Sequence, residues 1–170
     1  MSTTSASQTE KNEALGDEAF MTAGELRDYM REMTMAEAAG GNDSVSRAEK
    51  AQKEMLESFS KPIEVNDEVI AKVTKRLGSS MRQAAKRGET EIMVMRFPNA
   101  LCTDNGRAIN NSEEGWPETL TGRPRQAYEF WRDQLRPANY KLKAMIIDWP
   151  RGMPGDVGFF LSWSAAKPEH

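Results

Sequence analysis

Between Pro98 and Thr121 the chain places its only cysteine, Cys102, beside Thr103, Asp104, Asn105, Gly106 and Arg107, with Asn110 and Asn111 just beyond. A thiol, a carboxylate and a guanidinium so close together suit three chemistries: nucleophilic attack, capture of a carboxylate or phosphate, or cation binding. Two of the three lack a necessary part. A thiol nucleophile needs a base, and the only histidine is His170, in a Lys-Pro-Glu-His tail that offers no rigid support. Cys102 therefore reads as a small buried hydrophobe. Asp104-Asn105-Gly106 opens like a calcium loop, but no bidentate acid follows at the required spacing, so it reads as a turn. Asp104, Arg107, Asn110 and Asn111 remain as a recognition set, with capping of the loop's own backbone as the competing use. Glu113 and Glu114 are adjacent and lack the fixed geometry of paired acids.

A shorter candidate follows at Asp148-Trp-Pro-Arg-Gly-Met-Pro-Gly-Asp156. Its prolines and glycines specify turns, and Asp148 with Asp156 stand where two carboxylates can pair across a hairpin; hydrogen bonding to the turn is the simpler use of both. One cysteine and one histidine leave no set of soft ligands, so neither a metal nor a cofactor is expected.

The elements that must hold these residues emerge from periodicity. Ile92-Met-Val-Met-Arg-Phe97 is apolar on both sides of the alternation, like a strand inside a sheet, and Pro98 ends it. The twenty-four residues from Pro98 to Thr121 then lack clear periodicity, a length of loop that is usually functional or disordered. Trp116-Pro117 is placed to pin it by burying the ring. Gly122-Arg-Pro-Arg opens a helix whose buried side is Ala127, Tyr128, Phe130, Trp131 and Leu135. Tyr140–Asp148 and Val157–Trp163 read as the two strands of a hairpin. Ahead of them, Asn66 caps a helix running to about Arg87, with Val69, Ile70, Val73, Leu77, Met81 and Ala84 as its apolar stripe and Gly88 as its stop. Its other side gathers Lys72, Lys75, Arg76, Arg82, Lys86 and Arg87.

The first sixty residues differ in character. Up to Ser60 there are six basic and twelve acidic residues, and from Lys61 onward seventeen and fourteen, so an arm of net −6 precedes a domain of net +3. Met1 to about residue 20 lack a hydrophobic pattern and are expected to be disordered. Thr22-Ala-Gly-Glu25 and Ser46-Arg-Ala-Glu49 have capping-box spacing and start two amphipathic helices, separated by Gly40-Gly41. The first presents Leu26, Tyr29, Met30 and Met33, a Met-bearing face suited to an adaptable partner surface or to an ordinary core.

The expected architecture is α+β, or small α/β: a disordered segment (1–20), an acidic helical arm (21–60), and a compact domain (61–170) of order α-β-α-β-β. Its three-stranded sheet is expected to be mixed, with a helical crossover placing Ile92–Phe97 parallel to Tyr140–Asp148. The longest apolar runs, Ala144–Ile147 and Phe159–Leu161, are far too short to span a bilayer, and no secretory signal precedes the arm, so no membrane is expected and a cytoplasmic location is. With no catalytic set, the chain reads as a non-enzymatic accessory protein that binds an unidentified protein partner. Leu26, Tyr29, Met30 and Met33, the 98–121 loop, or both would carry the binding. A nucleic-acid partner along Lys72, Lys75, Arg76, Arg82 and Lys86 is the second reading, and a small-molecule or enzymatic site built from Asp104, Arg107, Asn110 and Asp156 the third. An open sheet edge also suits a homodimer.

Overall fold

The computed structural model describes residues 23–39 and 42–163, with side chains described over 24–35 and 47–163. The predicted disordered segment, the Thr22 cap and the Gly40-Gly41 break lie outside these residues. Two helices form the arm, α1 (Ala23–Ala39) and α2 (Asn42–Ser60). Helix α3 (Asp67–Lys86) starts at Asn66, whose side chain accepts from the Val69 amide, and Gly88 closes it in a left-handed conformation. At that end the Glu89 amide bonds Ala84 O and the Gly88 amide bonds Ala85 O, which satisfies carbonyls the helix would leave orphaned.

Strand β1 (Glu91–Phe97) leads into the long loop, which contains a single helical turn, α4 (Arg107–Asn110). Helix α5 (Gly122–Phe130) continues through a π-helical turn (Trp131–Leu135) into a 3-10 turn (Arg136–Ala138). Strands β2 (Lys141–Ile146) and β3 (Val157–Ser162) complete the chain's α+β fold and form the expected hairpin.

The order across the sheet is β1-β3-β2, and both pairings are antiparallel. The expected mixed sheet is corrected here: β1 and β2 do run in the same direction, but β3 lies between them. Side-chain character explains the arrangement. β3, Val-Gly-Phe-Phe-Leu-Ser, is the most deeply buried strand and takes the centre. β2 carries exposed Lys141 and Lys143 and takes an edge, where charge is tolerated and discourages further pairing.

Met95, Phe97, Val157, Phe159 and Leu161 are buried with Val73 and Met81 of α3 and Phe130 of α5, and Leu26, Tyr29, Met33 and Phe59 of the arm belong to the same core. Close approach fixes the seam between α2 and α5. Gly122 has a φ of 58°, and a Cβ there would lie 2.1 Å from the Phe59 carbonyl oxygen, so only glycine fits. Next to this seam Gln126 clamps the connecting segment, accepting from the Ile63 amide (3.0 Å) and donating to the Ile63 carbonyl (2.7 Å).

Candidate functional site

A cluster of buried charge joins three distant parts of the chain. Arg96, in the second half of β1, stands opposite Gly158 in the sheet register and is 7% exposed. Its Nε donates to Asp156 Oδ2 at 3.0 Å and its Nη2 to Asp148 Oδ2 at 3.3 Å. From the arm, Tyr29 donates its hydroxyl to Asp156 Oδ2 at 2.7 Å, and the Arg96 guanidinium lies 5.4 Å from the centre of the Tyr29 ring. Burial, followed by the neighbouring Asp156 carboxylate, pushes the Tyr29 phenol well above its ordinary pKa. A fifth member, Gln52 of α2, approaches Asp156 Oδ1 at 3.4 Å.

The same cluster shapes the connection from β2 to β3. Asp148 Oδ1 accepts from the Asp156 amide, the Gly155 amide bonds Asp148 O at 2.9 Å, and the Ile147 amide bonds Asp156 O at 2.9 Å. Gly155 is required at this neck, since a Cβ would sit 2.2 Å from Asp148 Oδ1 and 2.6 Å from Pro150 Cδ. Asp148 takes the simpler use that the sequence suggested, bonding its own turn, and both carboxylates also gather around Arg96, a cation that the sequence reading passed over. The signal was available: an arginine inside an otherwise apolar strand must find a carboxylate, because an unpaired buried charge is prohibitively costly.

Beyond the neck the chain turns outward. Trp149 is 51% exposed and Met153 67%, with Pro150, Arg151 and Gly152 exposed between them. Arg151 adopts a left-handed conformation with φ of 55°, sparsely populated for a side-chain-bearing residue and held here by the flanking turn. Met145, the next large exposed apolar residue back along β2, is 41% exposed.

The 98–121 loop is folded on itself and held to this connection. Asn99 donates to both Asn105 O (3.0 Å) and Pro154 O (3.1 Å), and an isolated bridge pairs Cys102 with Leu120. Asp104 turns inward, accepting from the Gly106 amide (3.0 Å) and the Ala108 amide (2.8 Å), and so starts α4. Arg107, Asn110 and Asn111 are exposed. The four residues do not converge: the carboxylate serves the loop's own backbone, and Asp156 belongs to the Arg96 cluster. Cys102 is buried, and burial pushes its thiol up to about 11, which leaves almost no thiolate at neutral pH. Trp116 packs edge-on against Tyr128 with ring centres 5.6 Å apart, and tilted against Phe159 at 6.0 Å, which fixes the loop to the core.

Leu26, Tyr29 and Met33 of the arm are buried against the domain, and Met30 is half-buried. On α3, Lys72 pairs with Glu68 at 3.5 Å and Arg76 lines a groove beside β1, and just past the helix Arg87 pairs with Glu89 at 3.1 Å. Lys75, Arg82 and Lys86 are the exposed remainder of the basic face. Among the described residues no group of three or more His, Cys, Asp or Glu could hold a metal ion, and no helix is long and apolar enough to cross a membrane.

Comparison of the chain with protein families, curated proteins and solved structures returns no match. Geometry alone therefore carries the functional reading.

Proposed function

We propose that this is a non-enzymatic recognition protein, and that its macromolecular partner docks on the β2–β3 connection. The supporting observation is the contrast between the two halves of that connection. Trp149, Arg151 and Met153 stand out in solvent on a neck fixed by the buried Arg96–Asp148–Asp156–Tyr29 cluster. Trp and Arg dominate the energy of most protein interfaces, and Met adapts to irregular partner surfaces. Holding them on a clamped turn lowers the entropy lost on docking. Arg151 favours an acidic rim on the partner, and a second copy of the chain is one such partner.

Photo-crosslinking from position 153 of the full-length protein in native cytoplasm identifies the partner, and sedimentation separates self-association from binding to another protein or to nucleic acid. The Trp149→Ala/Met153→Ala double variant is expected to bind that partner at least about thirtyfold more weakly, the loss of about two or more kcal/mol typical of interface anchors. Its melting temperature should not change, since neither side chain contributes to the core. Equal affinity of the double variant, or crosslinks no stronger than those from exposed Lys75, would exclude the connection as the docking element.

A further inference from the structure

The exposed side of α3 carries charge that the fold itself does not use. Lys75, Arg82 and Lys86 are exposed, and among the described residues none of the three makes an ion pair, whereas Lys72 is taken by Glu68 and Arg87 by Glu89. With about 3.6 residues per turn and about 1.5 Å of rise per residue, these three cations fall within roughly 40° of one another around the helix and span about 16 Å along it. Their line runs opposite buried Val73 and Ala84, so packing of α3 on the core holds it toward solvent. Gly78 and Ser79 flank the line between Lys75 and Arg82, and no large side chain rises there. A glycine inside a helix is unfavourable, and packing does not require this one: a Cβ at Gly78 would meet only Arg82 Nη1, at an ordinary contact distance of 3.4 Å. What the glycine leaves is room for an outside group to approach the helix backbone.

We propose that this face of α3 binds the phosphate backbone of duplex DNA without reading its sequence. A line of unpaired cations suits a regular polyanion, from which each contact releases condensed counterions. Contacts to phosphate position a protein on a duplex and carry no sequence information. Helix α3 has no aromatic side chain, so the bases of a single strand find no stacking platform on it. Duplex RNA is held largely through its 2′-hydroxyls, and on this line only Ser79 could serve them. The face shares no residue with the β2–β3 connection and stands or falls independently of it.

Fluorescence anisotropy of a mixed-sequence DNA duplex of about two helical turns, titrated with the full-length protein, is expected to report a Kd of roughly 1–100 μM, the range of non-specific complexes. Three phosphate contacts give a salt slope of about −2.7, so a fourfold rise in salt should weaken binding about fortyfold. Lys75→Gln should reduce the slope by about 0.9, and the triple variant Lys75→Gln/Arg82→Gln/Lys86→Gln should abolish binding while keeping its melting temperature, since none of the three has a partner to lose. Gly78→Gln should raise the melting temperature and still weaken DNA binding severalfold, because its side chain occupies the gap between Lys75 and Arg82. Trp149→Ala/Met153→Ala should bind DNA as the parent does, and nuclease treatment before crosslinking removes this ligand from the test of the β2–β3 connection. The proposal is overturned if the unaltered protein gives no saturable change at low salt, or if the folded triple variant keeps the parent's affinity and slope. Tighter binding of single-stranded DNA, duplex RNA or polyglutamate than of duplex DNA would equally overturn it.

Discussion

Arg96 is the residue on which the middle of the molecule depends. Truncating it leaves two carboxylates facing each other in the interior, so Arg96→Met should cost about 3–5 kcal/mol in urea unfolding, the scale for breaking a buried ion pair. Tyr29→Phe removes only one hydrogen bond to a charged acceptor, an expected loss of about 1.5–3 kcal/mol at neutral pH. The alkaline behaviour of that variant is more diagnostic. The folded phenol has its pKa raised above the ordinary value of 10.0, so the folded state keeps a proton that the unfolded chain releases. Its contribution is complete below pH 10 and shrinks as pH rises above it. The stability gap between parent and Tyr29→Phe should therefore narrow by up to about 1.4 kcal/mol per pH unit above pH 10, and a constant gap would show that the phenol is not held neutral. Cys102 gives a further check: with its thiol raised from 9.0 to about 11, alkylation by iodoacetamide at pH 7.5 should run about a hundredfold slower in the native than in the unfolded protein. At this scale the sequence discloses less than it could. Cys102 was legible as a buried thiol because no base accompanies it, whereas Arg96 was absorbed into the apolar strand around it.

Elements were legible where local chemistry sets their ends. Asn66 at the start of α3, Gly88 at its stop and Pro98 after β1 each act through bonds between near neighbours, and the structure keeps all three boundaries within a residue or so. Pairing between strands was not legible in the same way. A helical connection from β1 to β2 sets their common direction, but it does not say whether they touch, and the ten-residue connection from Ile147 to Asp156 lets β3 fold back onto the inner side of β2. The compact internal structure of the 98–121 loop also escaped, because it is assembled from one-turn pieces too short to show a period. Two glycines test the seams between elements. Gly122→Ala forces a Cβ onto the Phe59 carbonyl at a positive φ and should lower stability by more than about 1 kcal/mol, seen as a fall in melting temperature. Gly155→Ala should instead push Asp148 away from Arg96, detectable as faster amide exchange at Ile147 and Asp156, while the amides of α3 remain protected.

The whole molecule does not divide at the change of charge near Ser60. Composition marks the arm as different, yet Leu26, Tyr29, Met33 and Phe59 pack into the core formed by the sheet and helices, and composition is silent about such contacts. Removing residues 1–60 should consequently abolish cooperative urea unfolding of the remainder; a sharp transition in the truncated chain would show that residues 61–170 fold alone. The position of β3 has one more effect, on the order of events during synthesis. The central strand is the last element described, and β1 has no sheet partner until it arrives. The hydrogen bond from Tyr29 to Asp156 spans 127 residues of sequence. A nascent chain stalled before Asp156 holds helices and two unpaired strands, with Arg96 still lacking Asp156. Burial of that charge must therefore wait until the final strand has left the ribosome, so the protein completes its core after translation of this region and not during it.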